Sequence, residues 1–103
     1  MTDAQSRVRI DKWLWATRVF KTRSLAIESC KAGKVKVENL KAKPSREVAP
    51  GDIVTVRKDG MNQTLKVVAI AEKRVGAKTV GEYLKDLTLE EDYAAAREHR
   101  KAM

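Results

Sequence analysis

Ile10-Asp11-Lys12-Trp13-Leu14-Trp15-Ala16-Thr17-Arg18-Val19-Phe20, then Lys21-Thr22-Arg23-Ser24, then Gly33-Lys34-Val35-Lys36-Val37 is the stretch that decides the fold. Ile10, Trp13, Leu14 and Thr17 follow the i, i+3, i+4, i+7 spacing of an amphipathic helix, and Phe20 extends the stripe. A helix over Ile10 to Phe20 is expected. Trp15 and Val19 lie four apart on another face and need a second partner. Thr22 is placed to N-cap a second helix from Arg23 to Ala32, its hydroxyl taking an orphan backbone N–H. Ala26, Ile27 and Cys30 form that helix's inner face. Gly33 suits the left-handed position after a helix C-terminus. Two short helices joined by about two residues make a compact hairpin.

Outward from this core the period changes. Val35 and Val37 alternate with Lys34, Lys36 and Glu38, which marks a half-buried strand. Pro44 and Pro50-Gly51-Asp52 mark turns. Val54 and Val56 face one way in a strand over Ile53 to Lys58. Asp59 to Gln63 has hairpin-loop chemistry, and Thr64 to Ala71 is the returning strand. A turn of helix is expected around Glu82 to Leu87. Thr88 with Glu91 reads as a capping box for a terminal helix, with Glu90, Glu91 and Asp92 at its start, Arg97, Arg100 and Lys101 at its end, and Leu89, Tyr93 and Ala96 on one face. The expected fold class is α+β: a helical hairpin, a small mainly antiparallel sheet and a C-terminal helix. The organisation is a flexible N-terminus over 1–8, a domain over 9–72 and an extension with a helix over 73–103.

Charge narrows the function. The 103 residues carry 22 Lys and Arg against 14 Asp and Glu, a net charge of +8. Through Lys58 there are 14 basic and 6 acidic residues; beyond it there are 8 of each. The excess is local, as in a polyanion-binding face rather than a merely soluble surface. A single cysteine, Cys30, excludes an intrachain disulfide and fits a reducing compartment. No stretch approaches a membrane span, so a soluble, cytoplasmic protein is expected, with no membrane partner.

The catalytic inventory is thin. A chain this short buries only about 60–65% of its unfolded surface, which leaves little room for an enclosed pocket. His99 is the only histidine and sits in the expected terminal helix. One His and one Cys do not make a four-ligand zinc site, nor a nucleophile–base pair at such separation. Cys30 reads as a small core hydrophobe. No phosphate-binding glycine loop occurs. Asp11 is best read as neutralising nearby Arg or favouring a helix N-terminus. No catalytic residue, metal or cofactor is expected.

What remains is a constellation of cations: Arg9, Lys12, Arg18, Lys21, Arg23, Lys31, Lys34, Lys36, Lys41, Lys43 and Arg46 lie on and around the two helices and the first strand. Arg recognises phosphate bidentately and Lys acts as a mobile point charge. Trp15 is a candidate for stacking on a splayed base; its alternative is packing against the terminal segment. Trp13 belongs to the core stripe.

These residues resemble a known domain. Arg9-Ile10-Asp11-Lys12-Trp13-Leu14-Trp15, Arg18, Lys21-Thr22-Arg23-Ser24 with Ala26, Gly33-Lys34-Val35-Lys36-Val37, Lys43-Pro44-Ser45 and Gly51-Asp52-Ile53-Val54 resemble the RNA-binding domain of ribosomal protein S-four type. The Lys-Trp-Leu-Trp and Lys-Thr-Arg-Ser pieces, with Lys-Pro-Ser, look most like the fifteen-kilodalton heat-shock protein group, and Arg74-Val75-Gly76-Ala77-Lys78 resembles a feature of some of its members. The family often has Asn-Gly after the first strand, where this chain has Glu38-Asn39-Leu40. The resemblance implies binding to ribosomal RNA on the large ribosomal subunit, with a stalled nascent chain on transfer RNA, in rescue or recycling. It implies RNA contacts at Arg9, Lys12, Arg18, Lys21, Thr22, Arg23, Ser24, Lys34 and Lys36, with Thr22 and Ser24 alternatively read as helix-start residues only; Lys31 and Lys43 join them from the charge pattern. A monomer is expected. Two rivals stand: a sequence-specific DNA-binding helix-turn-helix protein, and an RNA-binding accessory subunit of an RNA-modifying enzyme.

Overall fold

Val35, Val37, Val54 and Val56 are fully buried, and the alternation that marks them as strand residues also decides which side of a sheet is dry. The computed structural model describes residues 7–58 and 60–88. Strand β1 (Val8–Arg9) leads into helix α1 (Ile10–Ala16), and helix α2 (Arg23–Lys31) follows. Six strands come after: β2 (Val35–Val37), β3 (Leu40–Lys41), β4 (Glu47–Val48), β5 (Ile53–Lys58), β6 (Met61–Val67) and β7 (Leu84–Asp86). A 3-10 turn at Ala77–Glu82 precedes β7.

The main sheet is antiparallel, in the order β3-β2-β5-β6-β7, and β1 pairs separately with β4. Its inward residues join Ile10, Trp13, Leu14, Phe20, Ala26 and Cys30 in one core. One layer of helices thus covers one face of an antiparallel sheet whose other face is left to solvent, the α+β solution to burying a single apolar face. Trp13 is wholly buried, and its indole N–H donates to the Ala69 carbonyl at 3.1 Å.

Several boundaries differ from expectation. The first helix ends at Ala16, not Phe20, because Arg18 adopts φ +66° and turns the chain. The helices are therefore joined by Thr17 to Thr22 rather than by about two residues. Phe20 is still buried, which is why the apolar stripe ran past the helix end. The β5–β6 hairpin is tighter than a five-residue loop, since Lys58 already pairs with Met61. The returning strand is Met61–Val67, ahead of the expected Thr64 to Ala71. The helical turn expected around Glu82 to Leu87 lies earlier, as the 3-10 turn that ends at Glu82; Leu84–Asp86 instead pairs with β6, with half-buried Leu84 opposite Val67. The helix expected at the C-terminal end, with His99 and the flanking acidic and basic runs, falls outside the described residues. At Glu38-Asn39 the chain makes a two-residue hairpin with Val37 opposite Leu40. Both residues have positive φ, +51° and +68°, as the primed turns that match strand twist require. The Glu38 carboxylate accepts the Ile53 N–H at 2.6 Å and helps hold that conformation.

Candidate nucleic-acid interface

Helix α1 begins without a side-chain cap, because its N-cap residue is Arg9, which has no acceptor. Its first N–H groups are met instead by a loop distant in sequence. Ile10 N–H donates to the Arg46 carbonyl at 2.7 Å and Asp11 N–H to the Pro44 carbonyl at 3.3 Å. This explains why Lys43-Pro44-Ser45 belongs with the helix motif: the loop closes the helix start and brings Lys43 to it.

Asp11 sits in that first turn and is completely buried. A buried carboxylate needs both charge and hydrogen-bond partners. Arg9 supplies a two-point contact, Nε at 3.2 Å and Nη2 at 2.9 Å, and Arg23 from α2 adds Nη2 at 3.4 Å. The two arginine side chains remain 47% and 41% exposed, so their outer N–H edges face solvent while their inner edges are held. Asp11 therefore acts as a buried bracket for two guanidinium groups from different elements. Arg23 Nε is buried and has no hydrogen-bond partner. Beside this bracket Arg9, Lys31 and Lys43 rim an open depression of about 490 Å³ whose floor includes Ile27 and Pro44.

The remaining sequence candidates are spread further. Arg18 stands at the opposite end of α1, about 10 Å along the helix axis. It is exposed, with Nη1 3.3 Å from the Val75 carbonyl. Lys21, Thr22 and Ser24 are exposed at the inter-helix corner, and Lys12 is half-buried. Thr22 has a structural task, accepting the Leu25 N–H at 3.1 Å as the α2 cap. Trp15 is half-buried, and the Arg74 guanidinium lies over its ring, 5.9 Å from the centroid. The chain itself thus supplies a stacking partner for Trp15. Lys34 and Lys36 lie away from the Asp11 bracket, although Lys34 also borders a shallow depression with Phe20, Leu25 and Glu28. With Arg57 they line a different depression of about 310 Å³.

Sequence reasoning missed two cations here. Arg74 donates to the Trp15 carbonyl at 2.8 Å and the Phe20 carbonyl at 3.1 Å. Lys58 donates to the Val19 carbonyl and lies over the Phe20 ring at 5.2 Å. Arg74 meets the negative end of α1, Lys58 meets the loop that follows it, and only the fold brings them there. Cys30 is buried under α2. Burial, and then the charge of Asp11, push its thiol up to about 11, so it stays protonated and unreactive at neutral pH. Among the described residues no group of three or more potential ligands could hold a metal, and no helix is long and apolar enough to cross a membrane.

Residues 8–54 match the S4 domain family. The heat shock protein 15 homolog of Haemophilus influenzae is 40% identical over 74 residues, covering 72% of this chain and 56% of that protein. The chain thus spans little more than half the length of that relative. The RQC P-site tRNA stabilizing factor of Bacillus subtilis is 36% identical over 87 residues, covering 84% of this chain and 85% of that protein. A trimeric structure of Vibrio cholerae heat shock protein 15 superposes with a TM-score of 0.77 at 33% identity, over 90% of this chain and 92% of that one. With the matched motif falling on the helix pair and the strands that follow it, the chain belongs to the S4-domain family of heat shock protein 15-like proteins.

Proposed function

We propose that this protein binds structured ribosomal RNA on the large ribosomal subunit, in the setting of a stalled nascent chain still attached to transfer RNA. It acts there in the cytoplasm as a binding protein rather than an enzyme, in ribosome rescue or recycling. The observation that carries the reading is the Asp11 bracket. It fixes Arg9 and Arg23 with solvent-facing edges next to Lys31 and Lys43, at the cost of burying a carboxylate. A guanidinium already oriented loses less freedom when it meets a phosphate. The geometry suits phosphate and shape recognition more than base reading. The name of the Bacillus subtilis relative specifies stabilisation of P-site tRNA, and that role is extended to this chain as part of the proposal.

The test is binding to large-subunit ribosomal RNA as a function of salt. A Lys31→Glu, Lys43→Glu double variant changes two exposed side chains without touching the bracket. It is expected to bind at least tenfold more weakly near 0.1 M salt, with the log–log salt slope reduced by about one to two. Unchanged affinity and slope would remove this corner from the interface. Duplex DNA as competitor separates the helix-turn-helix alternative: it should displace the RNA poorly.

A further inference from the structure

The outward positions of the five-stranded sheet form a second charged surface. In the ladder, Lys36 stands opposite Lys41 on one side and Thr55 on the other, and Thr55 stands opposite Thr64. One row along, Arg57 is opposite Asn62, and its N–H donates to the Lys34 carbonyl at 2.8 Å. One row the other way, Lys66 lies between Ile53 and Lys85. Side chains alternate across a strand, so these share the face away from the helices. Lys34, Lys36, Lys41, Arg57, Lys66 and Lys85 are all exposed.

Among the described residues no carboxylate occupies an outward position in this ladder. Beside the strands, Glu38 in the β2–β3 turn has its carboxylate on the Ile53 N–H, and Asp52, just before β5, has its own on the Ala49 N–H. Asp86 falls on the other pleat, in register with buried Leu65, and accepts the Thr88 N–H. Two cross-strand pairs, Lys36 with Lys41 and Lys66 with Lys85, are therefore like-charged and directly opposite. Such pairs destabilise a sheet. Among the described residues neither Glu38 nor Asp52 forms an ion pair with these lysines.

We propose that this sheet face is a second polyanion site that takes a phosphodiester backbone of RNA, separate from the one at the helix corner. The inference rests on the RNA-binding reading above and assigns it a further surface. Successive outward residues on a strand are about 6.7 Å apart, close to the repeat of phosphates along a nucleic-acid strand. Asn62, Thr55 and Thr64 supply hydrogen-bonding groups between the cations, and Asn39 joins Lys34, Lys36 and Arg57 around the depression. An acidic protein would need apolar anchors at the centre of the patch; among the described residues Ile53 is the one large apolar residue at a paired outward position, and exposed Val68 and Leu87 lie beyond the ends of β6 and β7. A nucleic-acid backbone needs no such anchors.

The experiment uses the full chain with three probes: large-subunit ribosomal RNA, a uridine oligonucleotide and polyglutamate. A Lys36→Gln, Arg57→Gln, Lys66→Gln variant is compared with the Lys31→Glu, Lys43→Glu variant and the wild type. The sheet variant should bind both RNAs about tenfold more weakly near 0.1 M salt, with the slope reduced by about two. Its melting temperature should be unchanged or higher, since like-charge pairs are relieved, so lost binding cannot be laid to unfolding. Wild-type affinity and slope in the sheet variant, alongside a weakened corner variant, would overturn the sheet site and leave the helix-corner function standing. A weakened sheet variant beside an unaffected corner variant would support the sheet site and remove the corner. Tighter binding of polyglutamate than of RNA by the wild type, or no RNA binding at all, would overturn both.

Discussion

The two helices end in the same backbone motif with different residues at its critical position. After α2, Gly33 N–H donates to the Cys30 carbonyl and Lys34 N–H to the Ser29 carbonyl, both at 3.0 Å, with Gly33 at φ +76°. After α1, Arg18 N–H donates to the Trp15 carbonyl at 3.1 Å and Val19 N–H to the Leu14 carbonyl at 2.9 Å, with Arg18 at φ +66°. Both are Schellman motifs, in which a left-handed residue lets the chain reverse and cover the last carbonyls. Glycine takes that conformation freely, whereas an arginine takes it at a cost of roughly 1 kcal/mol. Helix α2 is closed by its own neighbours, Thr22 before it and Gly33 after it. Helix α1 is closed from far away, by the Pro44 and Arg46 carbonyls at its start and by Arg74 and Val75 at its end. The strain at Arg18 persists because distant groups over-determine it.

That dependence predicts the largest effect. Arg74→Ala should uncover the Trp15 and Phe20 carbonyls and remove the cation over Trp15. The expected loss is about 2–3 kcal/mol, from unsatisfied acceptors and the lost cation–π contact together, read by urea denaturation. Because the damage falls on α1, hydrogen exchange should accelerate in Trp13 to Phe20 before α2 is affected. A loss under 0.5 kcal/mol would show that α1 closes without long-range help, and the contrast between the helices would fail.

The same contrast explains what could be read in advance. The α2 boundaries were legible because Thr22 and Gly33 are local signals with one physical meaning each. The strands β2 and β5 were legible because Val35, Val37, Val54 and Val56 keep a strict period of two. The α1 end was not legible, since no glycine marks it and the apolar stripe continues through Val19 and Phe20, which pack after the helix has stopped. Strand β7 was missed because its three residues carry no alternation of their own; pairing with β6 makes it a strand. The candidate site divides the same way. Local reading found the cations of the helix corner, and Arg9 and Arg23 are indeed joined through Asp11. It grouped Lys34 and Lys36 with them because they follow α2 in sequence, although the pleat turns them to the other side of the sheet, beside Arg57.

Gly33→Ala tests the glycine end. An added Cβ would meet the Lys41 side chain at 3.5 Å, an ordinary contact, so sterics with neighbours contribute little. The cost comes from the positive φ, about 1 kcal/mol, which for a domain of this size lowers the melting temperature by roughly 4–8 °C. RNA affinity should change little at temperatures where the variant is folded. A larger affinity loss than stability loss would mean that Gly33 serves binding, contrary to its reading as a purely conformational residue.

Arg18→Gly is the smallest change in stability and has the opposite sign. Glycine relieves the left-handed strain, while the substitution gives up one exposed hydrogen bond to the Val75 carbonyl, worth no more than about 0.5 kcal/mol at that exposure. The net expectation is a gain of up to about 0.5 kcal/mol in denaturant unfolding. Binding should move the other way, with affinity for ribosomal RNA falling a few-fold and the salt slope by about 0.7–0.9, as for one lost phosphate contact. A strained residue whose replacement improves the fold and impairs binding is kept for its side chain. If Arg18→Gly left affinity and slope unchanged, the arginine would have no role at the interface, and the strain at this helix end would be without a functional reason. If instead it destabilised the protein by 1 kcal/mol or more, the Val75 contact would be anchoring the Arg74 segment, and Arg18 would belong with the long-range closure of α1.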